Sequence, residues 1–140
     1  MFDTEFGTFG LCICYDFRFP ETGRLMALKG AKAVLVPAAF NMTTGPAHWE
    51  LMFRSQAMYN QFFAVGTAPA RDERGPYVSW GHSIAVDPWG KALRLMGAGT
   101  EIGVVELDLD RVAEVRGQLP LLRHRRTDLY VVSELDRPER

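Results

Sequence analysis

Few residues of this chain could do covalent chemistry. Cys12 and Cys14 stand two positions apart in "GLCICYDFRFPE", and three histidines, His48, His82 and His124, are scattered along the sequence. The histidines have no ligand-like spacing with one another or with the cysteines, and a lone C-x-C lacks the second pair of a structural zinc site. No glycine-rich run matches a phosphate loop or a dinucleotide fingerprint. Thiol chemistry remains. Cys14 closes an apolar run and is followed at once by Tyr15, Asp16, Phe17 and Arg18. A thiol at a strand-to-helix bend is open to substrate, and the backbone N–H of the next residue, Tyr15, can point at a developing oxyanion. The competing reading makes such a cysteine a small hydrophobe. Residue types alone leave both readings open for Cys14 and favour packing for Cys12.

The hydrophobic pattern predicts the elements that must hold these side chains. "FDTEFGTFGLCIC" alternates about a turn at Glu5-Phe6-Gly7 and reads as a hairpin whose second strand, Phe9 to Cys14, enters the interior. Pro20 suits a first helical turn, with the helix running on from Glu21 to Lys29 and Gly30 as its stop. "AVLVPAAF" is a buried strand ending at Pro37. After the cap and turn residues of "NMTTG", a helix is expected from about Pro46 to Tyr59. Its Trp49, Met52, Phe53 and Ala57 share one face, and Ala47, Leu51 and Met58 lie nearly opposite. A second apolar stripe means either a helix sandwiched within one domain or a contact between subunits. "FFAVGTA" reads as a strand, and "SWGHSIAVDPWGKALRL" as a hairpin turning at Asp87-Pro88-Trp89-Gly90. "IGVVELDL" is expected as a further strand. "LDRVAEVRG" is expected as a short helix with Leu109, Val112 and Ala113 as its stripe and Gly117 as its stop. The remainder, with its Arg123-His124-Arg125-Arg126 cluster, should pack as an extended arm.

The 140 residues are 47% hydrophobic and 24% charged, the balance of a soluble α/β domain of ordinary size. A net charge of -1 gives no field for nucleic acid and no anchor for a membrane. The basic cluster could touch phosphate, but at this charge it reads better as a solvated or inter-subunit surface. No apolar run approaches the roughly 18 to 20 residues of a membrane helix. The acidic, alternating "MFDTEFGTFG" does not read as a signal peptide. Two cysteines so close together cannot staple distant segments, which suits a reducing, cytoplasmic compartment.

Four stretches together carry a resemblance: "GLCICYDFRFPE", "AAFNMTTGPAHWELMFRSQAMYNQFFAVGTAPARDE", "SWGHSIAVDPWGKAL" and "RRTDLY". In this order, from about Phe2 to Tyr130, the chain resembles the carbon–nitrogen hydrolase (nitrilase) superfamily, specifically its omega-amidase branch. The resemblance implies an α-β-β-α sandwich of the nitrilase type, of which this chain would be the C-terminal half. Residues 1–130 would then be the C-terminal part of the hydrolase domain, and residues 131–140 a tail. It also implies a Glu-Lys-Cys triad that hydrolyses an amide through a thioester, with no cofactor and no metal. Cys14 aligns with the nucleophile. Cys12 stands where the family commonly has glycine.

For a 2-oxo dicarboxylic acid monoamide such as 2-oxoglutaramate or 2-oxosuccinamate, Arg18 would bind the far carboxylate. Phe40 would wall the acyl chain, and Thr44 would offer a hydroxyl to the oxo-acid end. Their residue types equally suit a surface salt bridge, core packing and a helix cap. His48 and Glu50 are expected as braces of the site or of the Pro46–Tyr59 helix, through which a homodimer would form. The triad's Glu and Lys align with nothing here and would lie upstream of Met1, so the chain alone is expected to be inactive. The rival reading is a non-catalytic pseudoenzyme half that serves as a dimerisation module.

Overall fold

The computed structural model describes residues 1–135, so the end of the tail expected at 131–140 lies outside the described residues. The elements are β1 (Phe2–Thr4), β2 (Gly7–Leu11), a 3-10 turn (Cys14–Arg18), α1 (Pro20–Leu28), β3 (Ala33–Pro37), α2 (Thr44–Asn60), β4 (Phe63–Thr67), β5 (Ile84–Val86), β6 (Ala92–Leu95) and α3 (Arg111–Gln118). The strands form one six-stranded sheet in sequence order. β2, β3 and β4 are parallel, with α1 and α2 as their crossovers, and the remaining pairs are antiparallel. The fold class is α/β, as expected.

Both crossover helices cover one face of the sheet. Successive right-handed crossovers along one direction of a sheet place their helices together. Met26 and Ala27 of α1 and Trp49, Phe53 and Ala57 of α2 join Val34, Val36, Ala64 and Val86 in one buried cluster. The approach is close: a Cβ on Gly66 would sit 2.4 Å from the Phe53 ring, and one on Gly45 would sit 2.3 Å from Trp80. The alternate strand positions face the other way. There Ala33 and Phe63 pack under Val112 of α3, while Leu35 and Val65 border an open cavity of about 490 Å³ beneath residues 101–107. With α1 and α2 on one face, and a second apolar face only partly covered by α3, the sheet and the crossover helices make up one β-layer and one α-layer of a sandwich.

The local signals placed most boundaries. Gly30 follows α1 with φ +90°, and Asp87 Oδ1 accepts the amides of Trp89 and Lys91 at the β5–β6 turn. Four readings need correction. "IGVVELDL" forms no strand: Ile102 is 93% exposed and Val104 87%, and without a neighbouring strand an apolar run gains no ladder. On α3, Val115 is buried and Ala113 is exposed, because the helix rolls Val112 and Val115 onto the sheet, and it ends at Gln118 instead of stopping at Gly117. α2 starts at Thr44, two residues before Pro46, because Asn41 Oδ1 accepts the amides of Thr43 and Thr44. β2 stops at Leu11, short of Cys14. The second stripe of α2 is not sandwiched among the described residues: Leu51 is 66% exposed, and Ala47 and Met58 are exposed beside it.

Candidate active site

The site lies beyond the carboxyl ends of the parallel strands, where open α/β sheets leave a crevice. Past β2 the chain stays extended to Ile13 and then turns sharply, and Cys14 opens the 3-10 turn with φ +48°. A side chain in the left-handed region costs about 1–2 kcal/mol. Here the surrounding structure holds it. Phe17, three residues on, is fully buried against Phe53, and the Asp16 amide closes on the Ile13 carbonyl at 3.1 Å. Strain held in this way concentrates at functional sites.

The half-buried Cys14 Sγ lies 3.8 Å from the Ala39 carbonyl beyond β3, which also accepts the Tyr77 hydroxyl at 2.9 Å. Among the described residues no carboxylate or ammonium bonds the thiol. Tyr15 is the second residue of that turn, where backbone N–H groups lack the partners that a continuing helix would give them. Cys12 is different. It is 6% exposed, and burial, followed by the charge of Asp16, pushes its thiol up to about 12. It is therefore neutral at physiological pH and inert as a nucleophile.

Arg18 is half-buried and makes no ion pair among the described residues, so the salt-bridge reading of its type does not hold. Its guanidinium lies 4.3 Å from the Phe40 ring centroid and 5.6 Å from that of Tyr15. One terminal nitrogen donates to His48 Nδ1 at 3.2 Å. Because arginine only donates, Nδ1 accepts and the imidazole hydrogen sits on Nε2. One edge of the fork is thus held by protein, and the rest is available to a ligand.

Phe40 is 3% exposed and rests edge-on against Trp49 at 5.0 Å, so it packs the core beneath the arginine it carries. Thr44 donates its hydroxyl to Asn41 Oδ1 at 3.0 Å and belongs to the cap of α2. Glu50 pairs with Arg54 on the exposed side of the same helix. The structure therefore brings Cys14, Tyr15, Arg18 and Phe40 together through the 3-10 turn and the end of β3, and gives Thr44 a hydrogen-bond partner of its own.

Sequence reasoning missed Asn41 and Tyr77. Asn41 lies in the "NMTTG" stretch expected to cap the helix, but its bond to the Thr44 hydroxyl was not foreseen. Nothing in the sequence marks Tyr77, which reaches Ala39 from a distant loop.

A family model described as carbon–nitrogen hydrolase matches residues 1–117. Human omega-amidase NIT2 is 47% identical over 137 residues, covering 98% of this chain and 49% of that protein. The crystal structure of Saccharomyces cerevisiae Nit3, a member of branch 10 of the nitrilase superfamily, is 48% identical with a TM-score of 0.84. That match covers 89% of this chain and 46% of Nit3. An amidase variant from Nesterenkonia sp. AN1 is 29% identical with a TM-score of 0.67, over 86% of this chain and 42% of its own. Its structure shows covalent addition of the acetamide moiety of fluoroacetamide at the active-site cysteine. The chain spans about half the length of the curated relatives it matches.

Proposed function

Because this chain belongs to the carbon–nitrogen hydrolase family, we propose that it carries the nucleophile of an amidase of omega-amidase type, acting on monoamides of 2-oxo dicarboxylic acids such as 2-oxoglutaramate and 2-oxosuccinamate. The observation that carries the reading is the left-handed Cys14 beside an arginine without an acidic partner. The Cys14 sulfur attacks the amide carbon, and the carbonyl oxygen becomes an oxyanion that accepts from the Tyr15 N–H. The C–N bond then breaks, the nitrogen takes up a proton and leaves as ammonia, and a thioester remains. Water attacks the thioester carbon, the C–S bond breaks, and the carboxylate product leaves the thiol restored. The base that takes the thiol proton and the cation that completes the oxyanion site, Glu and Lys by family resemblance, come from outside these 140 residues. Residues 1–130 would form the C-terminal part of the catalytic domain, in a cytoplasmic protein.

Arg18 reads the distal carboxylate with the N–H groups that His48 leaves open, and Phe40 fixes the plane of the guanidinium. Thr44, held by Asn41, stands at the oxo-acid end of the pocket. Replacing Arg18 with lysine in the full-length protein should weaken kcat/KM on 2-oxoglutaramate by about tenfold to a hundredfold, the loss of a charge-assisted contact of roughly 1.5 to 3 kcal/mol. An uncharged amide of the same length should change little. Equal losses on both substrates would make Arg18 a brace of the site.

The exposed stripe of α2 is proposed as the homodimer contact. It borders a surface cavity that Leu51 and Met58 share with Trp89, which is itself 51% exposed. Leu51→Asp should shift the full-length protein to half its mass in size-exclusion chromatography with light scattering. An unchanged mass would move the contact elsewhere.

A further inference from the structure

A cavity of about 210 Å³ separates the C-terminal arm from the start of α1 and the end of α2. Arg24 reaches its wall from α1 and Arg125 from the arm, together with Tyr130 and Asn60. One terminal nitrogen of Arg24 donates to the Tyr59 carbonyl at 2.8 Å, while the other, Nη1, is buried with no acceptor among the described residues. Asn60 gives its Nδ2 to Gln56 Oε1 at 2.7 Å, and its Oδ1 is buried without a donor among the described residues. Arg125 spends Nε on the Leu122 carbonyl and makes no ion pair among the described residues. Glu21 lines the same wall but is exposed and pairs with neither arginine. Burial, and after it the charge of Arg125, holds the Arg24 guanidinium below its ordinary range. Two like charges on one half-buried wall repel each other unless an anion joins them.

We propose that this cavity binds a small oxyanion, either phosphate or a carboxylate, bridged between Arg24 and Arg125. Arg24 supplies the inner donors and Arg125 the outer ones, a geometry suited to planar or tetrahedral oxyanions. None of the lining residues belongs to the Cys14 site. Because Arg125, Tyr130 and Val132 come from the arm and the rest from the helices, the bound anion also ties the arm down.

The test is calorimetric titration of the full-length protein with inorganic phosphate and, separately, with succinate, which distinguishes the two sources. At least one should bind saturably, and Arg125→Gln should weaken it by about tenfold or more. Arg125 is chosen because Arg24 also supports the end of α2. Binding should slow hydrogen exchange in residues 123–132 of the wild type and leave the Arg125→Gln arm unchanged. Since a carboxylate could enter the Cys14 site, both titrations are repeated in Arg18→Ala. Retained binding there supports the cavity. Binding lost in Arg18→Ala but kept in Arg125→Gln would overturn the proposal, as would no saturable binding of either anion.

Discussion

Replacing Cys14 with alanine in the full-length protein is expected to lower amide hydrolysis by at least about a thousandfold, with the fold intact. The size follows from the role: in a covalent mechanism the nucleophile cannot be replaced by its neighbours, and removing one member of a catalytic unit costs nearly as much as removing all. Cys12 cannot stand in, because its thiol is buried and held neutral. Cys12→Gly is the matched control and should retain most activity, since that side chain only packs. The check is kcat/KM on 2-oxoglutaramate, with circular dichroism to confirm folding. Loss of activity in Cys12→Gly with full activity in Cys14→Ala would reverse the assignment.

The second large effect concerns the chain on its own. The 140 residues as a separate polypeptide are expected to show no amide turnover. Among the described residues the thiol's hydrogen-bond partner is the Ala39 carbonyl, which is no base for its proton. The sheet face away from α1 and α2 adds a physical cost. Leu11 is 50% exposed and Ile13 62%, and Leu35 and Val65 are only half covered. An apolar sheet face left open in this way favours self-association. The isolated chain should therefore elute as oligomers or aggregates in size-exclusion chromatography. A soluble monomer that hydrolyses 2-oxoglutaramate and loses the activity with Cys14 would mean that the base lies within these residues.

Much of this architecture was legible because local and tertiary signals agreed. Pro20 and Gly30 bracket α1, Pro37 ends β3 and Asp87 organises its turn, each through backbone chemistry that needs no distant partner. Where tertiary context decided, the pattern failed. "IGVVELDL" has the composition of a strand but no neighbouring strand to pair with, and the roll of α3 onto the sheet exchanged Ala113 for Val115. At the site, sequence pointed to a bend at Cys14 but could not show its sign, since a cysteine carries no mark of positive φ as a glycine does. Arg18 was legible as a cation near the thiol. Its seat on Phe40 and its bond to His48 depend on α2 passing overhead, a contact between residues thirty positions apart. Thr44 and Phe40 show the opposite limit: the same residues serve as cap and core, so their types alone could not separate packing from recognition.

The central claim is that Cys14 carries the acyl group between two half-reactions. Its most direct test is mass mapping of the full-length enzyme, quenched in acid during turnover of 2-oxoglutaramate and digested without thiol reductant. The account predicts the acyl mass on the peptide containing Cys12 and Cys14, with fragmentation placing it on Cys14 and none on Cys12. An active enzyme that carries the acyl group on Cys12, or whose acylated peptide lies elsewhere in the protein, would contradict it.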